Sequence, residues 1–140
     1  MKTELRDKLF KDYPKILDEK YLIYGFDVPD AWYNLLKGLF GNLQWNADKN
    51  NFPQIKVEQV KEKFGSLRMY YTYGEDYKDF SEEATYKEGV IAGTVEAYTD
   101  FSRMICFNCG SAKNVKPTSD GWIVNLCEDC MKERNEKTEK

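Results

Sequence analysis

All four cysteines of this chain fall in its last quarter, as Cys106-Phe-Asn-Cys109 and Cys127-Glu-Asp-Cys130, two CxxC pairs with seventeen residues between them. No other feature constrains the fold as strongly. A CxxC turn holds two thiolates about 4 Å apart on one side of a tight loop, and a second turn facing it completes a tetrahedral four-sulfur site. Such a site suits zinc and leaves no open coordination position. Two disulfides or a pair of redox dithiols are the competing readings of the same spacing. The start, Met1-Lys-Thr-Glu-Leu-Arg-Asp-Lys8, carries acidic residues and lacks the apolar stretch of a signal peptide, so the thiols are expected to stay reduced. That favours a metal, and the expected ligands of Zn2+ are Cys106, Cys109, Cys127 and Cys130.

At 140 residues there is room for one ordinary domain, or for a compact one with a small metal module attached. Ten Tyr, eight Phe and three Trp supply enough large apolar side chain for a true core. No run approaches the eighteen or so apolar residues of a membrane span, so no membrane partner is expected. The formal net charge is −3, from 21 basic and 24 acidic residues. A zinc held by four thiolates contributes a further charge of about −2. Bulk electrostatic steering toward nucleic acid is therefore excluded, although a local basic patch is not. Histidine is absent. Its absence removes the usual neutral-pH base, the Cys–His nucleophile pair and the ligand sets of most catalytic zinc sites. Gly-rich phosphate loops, a serine elbow and a zinc-deaminase signature are missing as well. The chain is expected not to be an enzyme.

Along the chain, Thr3 to Lys20 reads as two short helices broken at Tyr13-Pro14, with Leu5, Leu9, Ile16 and Leu17 on the apolar side. Asp30 is placed to cap a helix whose apolar face is Trp32, Leu35, Leu36, Leu39, Phe40 and Leu43. Gly38 and Gly41 should weaken or end that helix, and the polar stretch Asn46 to Pro53 reads as a loop. Residues 55–73 alternate in a strand-like way about Lys61-Glu-Lys-Phe-Gly65, which predicts an antiparallel hairpin. Ser81-Glu-Glu-Ala84 opens a helix whose apolar positions run from Ala84 to Ile105. Gly89 and Gly93, four apart within it, predict close approach to another backbone.

Cys109-Gly110 fits a zinc knuckle. Asp120-Gly121 suggests a turn before a short strand, Trp122 to Leu126, and the second cysteine pair runs into a polar, helix-favouring tail. The last five residues are expected to fray. The expected fold class is α+β: helices packed with a small antiparallel hairpin, plus a C-terminal four-cysteine module of treble-clef or zinc-ribbon type. The expected division is 1–104, a helical domain with the hairpin around 55–73, and 105–140, the zinc-binding module.

Three segments carry a family resemblance: Gln59-Val-Lys-Glu-Lys-Phe-Gly-Ser-Leu-Arg-Met-Tyr-Tyr71, Cys106-Phe-Asn-Cys-Gly110, and Gly121-Trp-Ile-Val-Asn-Leu-Cys-Glu-Asp-Cys130. Over about 55 to 130 the chain resembles a group of small, largely uncharacterised zinc-finger-like proteins encoded by bacteriophages and prophages. The hairpin phrase is the distinctive part, since the cysteine phrases occur in many zinc modules. The resemblance implies a phage accessory protein with a metal knuckle, working in the cytoplasm of a bacterial host. It supplies no reaction or catalytic residue.

Lys56, Lys61, Lys63 and Arg68 lie on or beside the hairpin with Phe64, Tyr70, Tyr71 and Tyr73 near them. Basic groups interleaved with aromatics can hold phosphates and stack on bases, but Glu58 and Glu62 dilute the charge. Trp122 is expected to pack over the metal module. The acidic residues Glu75, Asp76, Asp79, Glu82 and Glu83 lack the ligand spacing of a calcium loop and read as a solvated loop leading into the first turn of a helix. The leading expectation is thus a noncatalytic, zinc-stabilised phage accessory protein that binds a host or viral macromolecule, a host or phage protein first of all, with inhibition of a host defence as one role. The alternative is nucleic-acid binding through the basic, aromatic hairpin and the zinc module. Nothing in the pattern sets an oligomeric state.

Overall fold

The computed structural model describes residues 1–138. Helix α1 (Thr3–Asp12) leads through turns to strand β1 (Phe26–Asp27). A single 3-10 turn (Asp30–Trp32) then opens helix α2 (Tyr33–Lys49). Strands β2 (Lys56–Lys63) and β3 (Ser66–Thr72) are followed by helix α3 (Glu82–Ser102), and the chain ends in β4 (Lys116–Pro117), β5 (Asn125–Leu126) and helix α4 (Glu128–Thr138). The mixed α+β character agrees with the sequence pattern.

The predicted hairpin is present and is tighter than expected. Lys63 pairs with Ser66, so the loop is only Phe64-Gly65, both with positive φ (54° and 81°). That backbone matches the right-handed twist of the flanking strands, the reason two-residue hairpins favour it. Strand β1 adds in parallel on the other side of β2, with Phe26 opposite Val60 and Asp27 opposite Lys61. A bulge falls between Val57 and Gln59.

Helices α2 and α3 pack on this sheet. Buried Leu35, Leu36, Leu39, Phe40 and Leu43 of α2 meet Ile91 and Val95 of α3 and Val57, Val60, Leu67 and Met69 of the hairpin. Ser81 caps α3, its hydroxyl accepting from the Ala84 N–H at 3.1 Å. Where β3 passes the end of α3, the Leu67 N–H donates to Ser102 Oγ at 2.9 Å, and that hydroxyl donates to the Thr99 carbonyl.

Several expectations are corrected. Helix α2 runs through Gly38 and Gly41 into the stretch read as a loop, because its buried apolar stripe outweighs the weak propensity of two glycines. Gly38 is instead a contact point: a Cβ there would lie 3.2 Å from the Tyr98 hydroxyl of α3. At Gly89 and Gly93, by contrast, an added Cβ would meet nothing within 4 Å, so neither serves close packing. No second helix follows Pro14; the Ile16 carbonyl is drawn off to accept from the Val57 N–H at 3.0 Å. Asp30 caps no helix through its side chain, its carboxylate accepting instead from the Lys2 N–H at 2.6 Å. Helix α4 continues to Thr138, so residues 136–138 are helical; 139 and 140, the rest of the segment expected to fray, lie outside the described residues.

Candidate metal centre

The first cysteine pair sits on a knuckle closed by backbone bonds. The Gly110 N–H donates to the Cys106 carbonyl at 3.0 Å, and the Cys106 N–H donates to the Ser111 carbonyl at 2.8 Å. Gly110 has φ of +81°, a left-handed turn that glycine adopts without steric cost. The two-stranded sheet follows, with Lys116 opposite Leu126 and Pro117 opposite Asn125. Thr118 locks its loop: the N–H donates to the Val124 carbonyl, and the hydroxyl accepts from the Val124 N–H at 3.1 Å. The Asn125 carbonyl then accepts from the Phe107 N–H at 2.8 Å, tying β5 to the knuckle. Cys127 lies between β5 and α4, and Cys130 falls within the first turn of α4.

These elements bring the four sulfur atoms within 4.8 Å of one another, with Cys109 and Cys127 Sγ 3.7 Å apart. All four cysteines are free thiols. A disulfide would need about 2.05 Å, whereas a tetrahedron of zinc–sulfur bonds places its sulfurs about 3.8 Å apart. The cluster can hold a metal ion, and its donors and spacing fit Zn2+. Cys106 and Cys127 are buried, Cys130 is half-buried and Cys109 is exposed.

The electrostatics suit a cation as well. Burial opposes ionisation of Cys106, but the N–H groups of Cys127, Cys109 and Asn108 donate to its sulfur and, with the Cys130 thiol, bring its pKa down to about 6. Cys130 is raised, first by its hydrogen bond to Cys127 and then by burial. At Cys109 the Ser111 N–H lowers the pKa, yet the Cys127 thiol and burial outweigh it and leave the group raised. Four adjacent thiols share protons rather than all ionise, and a divalent cation is what makes four thiolates compatible.

Side chains from both regions join at the hairpin loop. Asn125 Nδ2 donates to the Gly65 carbonyl at 2.8 Å. Glu62 accepts from the Gly65 N–H at 2.7 Å and from Trp122 Nε1 at 3.1 Å. Phe107, inside the knuckle, meets the buried Trp32 edge-on at 6.4 Å. Trp122 does not pack over the sulfurs as expected. It is 71% exposed, held by its indole N–H to Glu62, and with Phe64 and Phe107 it lines a groove of about 800 Å³. The sequence reading missed the groove and the Gly65–Asn125 contact. Its only local signal was Phe64-Gly65, and nothing in that dipeptide points sixty residues ahead.

The four candidate cations do not form one patch. Lys61 lies directly opposite Arg68, and Lys63 is near the hairpin loop with its ammonium 5.6 Å over the Phe64 ring. Lys56 is at the far end of β2, where its ammonium is 3.8 Å from the Asp18 carboxylate and lies over Tyr21. Asp27 is paired beside Lys61 and breaks the basic surface further. Among the described residues no helix is long and apolar enough to cross a membrane. Comparison with protein-family models, curated proteins and solved structures finds no match to this chain.

Proposed function

We propose that this chain is a noncatalytic accessory protein of the bacteriophage kind its sequence resembles, stabilised by one Zn2+ and acting by binding a host or viral protein. The order of knuckle, two-stranded hairpin and a helix that follows Cys127 and carries Cys130 supports a treble-clef arrangement over a zinc ribbon, which would place both pairs on hairpins. Cys106, Cys109, Cys127 and Cys130 would hold the zinc. With four protein ligands it would act as a folding element, with no position left for a substrate. Native mass spectrometry should find one zinc per chain, about 63 Da above the demetallated mass once released protons are counted. A folded, metal-free chain under reducing conditions would refute this part.

The observation that carries the binding role is the apolar surface left open where hairpin and knuckle meet. Phe64 is 68% exposed, Trp122 71% and Ile123 40%, all lining one concavity. Clustered exposed aromatics of this kind mark interaction surfaces. The zinc-loaded protein should retain a discrete partner from host or infected-cell lysate at low micromolar concentration, and retention of none from either would count heavily against the reading. A second reading, nucleic-acid binding, is favoured by the Lys61–Arg68 pair and half-exposed Tyr70 on the hairpin. It requires salt-sensitive binding that weakens when Lys61, Lys63 and Arg68 are neutralised, and it fails if no shift is seen at about 50 mM salt and about 20 μM protein.

A further inference from the structure

We propose that Cys109 and Cys127 form a peroxide-sensitive pair, and that their joining as a disulfide releases the metal and loosens the four-cysteine segment. The inference rests on the zinc reading above and adds regulation to it. A hydroperoxide is the reagent, and the folded state of the segment that carries Phe107 and Trp122 is what it changes.

Access comes first. Cys106 and Cys127 are buried and Cys130 is half-buried, whereas Cys109 is exposed. A recess of about 260 Å³ leads to the cluster, lined by Cys109, Cys127 and Cys130 together with Ser111, Lys113 and Glu128. Cys106 is fully buried and takes no part in that lining. A hydroperoxide is far smaller than the recess, so it reaches the Cys109 sulfur without any opening of the fold. Metal ligation keeps a cysteine in the thiolate form, which is the nucleophile. Ser111 and Lys113 supply hydrogen-bond donors at the mouth of the recess for the hydroxide that departs.

Geometry then selects the partner. Cys127 Sγ lies 3.7 Å from Cys109 Sγ. Cys127 stands just ahead of α4, whereas Cys130 is fixed within the first turn of that helix. Cys106, the other member of the first pair, has its backbone N–H and carbonyl both tied inside the knuckle. Closing the gap to the roughly 2.05 Å of a disulfide therefore moves two loop-borne cysteines and leaves the helix alone.

The chemistry needs one two-electron oxidant. The Cys109 thiolate attacks a peroxide oxygen, the O–O bond breaks, and a sulfenic acid forms while hydroxide leaves and takes a proton to become water. The Cys127 thiolate then attacks the Cys109 sulfur, the S–S bond forms, and the S–O bond breaks to release a second hydroxide, which is protonated in turn. The two sulfurs lose the two electrons that the peroxide gains. Two anionic ligands have become one neutral disulfide, and Cys106 with Cys130 cannot complete a tetrahedral set.

The structural consequence follows from how little interior the segment has. Its buried cluster is Cys106, Val124, Leu126 and Cys127, so drawing Cys127 toward the exposed Cys109 opens it. The knuckle is tied to β5 by the Phe107 N–H on the Asn125 carbonyl, and the loop before β5 carries Trp122. Oxidation thus disturbs one wall of the aromatic concavity at the hairpin.

The test treats the full zinc-loaded chain with about a tenfold molar excess of hydrogen peroxide, follows zinc with a chromogenic chelator, and maps disulfides by mass spectrometry after free thiols are blocked. One zinc should be released for each disulfide formed. The link should join Cys109 to Cys127, with Cys106 and Cys130 still open to alkylation. Protease cleavage after about residue 104 should rise about tenfold or more, and dithiothreitol with added zinc should restore the parent pattern. Zinc retained while glutathione in a parallel sample is oxidised overturns the proposal. So does a disulfide between any other two cysteines, or a sulfinic acid with no disulfide, and each of these leaves the zinc site standing. A chain that carries no zinc before peroxide is added takes down both the switch and the zinc reading.

Discussion

The body of the molecule and its four-cysteine segment bury their interiors with different side chains. Seventeen buried apolar residues, from Leu9 to Val95, form one continuous core under α2, α3 and the sheet. The module's own cluster consists of Cys106, Val124, Leu126 and Cys127, so half of its interior is ligand. A core of that size cannot offset the entropy of ordering thirty or so residues, and small units of this kind commonly depend on a metal. The body should therefore fold by burial alone, while the module should fold only when its thiolates are gathered by a cation.

Cys127→Ser presses hardest on that contrast. It removes one charged soft ligand and leaves three thiolates crowded without full compensation, where apparent zinc-binding energies run to about 10–16 kcal/mol. Zinc should be lost and protease cleavage should concentrate after about residue 104, with the core of α2 and α3 still protected from hydrogen exchange. A substitution at an exposed position of α4, Lys137→Ala, is the control and should leave zinc content and proteolysis alone. Indistinguishable behaviour of the two variants would defeat both the ligand assignment and its folding role.

Phe40→Ala attacks the other side. Phe40 is fully buried among the core side chains, and a cavity of that kind costs about 3–5 kcal/mol. Denaturant melts should show the body losing this stability while one zinc per chain persists under native conditions. If metal release instead tracks the loss of core stability step for step, the two regions form one cooperative unit and the contrast collapses.

Asn125→Ala sharpens the boundary between them. The Asn125 amide is the buried donor to the Gly65 carbonyl, so its loss should cost about 1–3 kcal/mol by leaving that carbonyl without its partner. Zinc stoichiometry should hold, and amide exchange should rise around residues 62–66. Unchanged exchange there would show that the Trp122–Glu62 hydrogen bond and the Trp32–Phe107 contact carry the junction without Asn125. Ser81→Ala should have the smallest effect, about 1 kcal/mol from the lost helix cap, read in thermal melts and with no change at the metal site. A larger loss would mean that the start of α3 is more deeply coupled to the core than its exposed position indicates.

The comparison also separates what was legible along the chain. The hairpin, the capped helix α3 and the four-cysteine set are local: alternation over 55–73, a serine before Glu82, and fixed spacing within each CxxC pair. Helix α2 was legible in its face but not in its length, since Gly38, Gly41 and the polar stretch after Asn46 argued locally for an early end. Burial of the Leu35–Leu43 stripe overrode them. Trp122 shows the opposite failure. Its hydrophobicity suggested packing over the sulfurs, and a single hydrogen bond to Glu62 holds it at the surface instead.

Composition and spacing were thus sufficient for the secondary-structure class and the candidate ligands, because each depends on residue identity within a few positions. Only the tertiary structure brought Gly65 against Asn125, set Lys61 beside Asp27 and Arg68, tied Lys56 to Asp18, and opened a groove between Phe64 and Trp122. Those relations join residues up to sixty positions apart, and they follow from how the hairpin and the four-cysteine segment pack together, which no local pattern of side chains encodes.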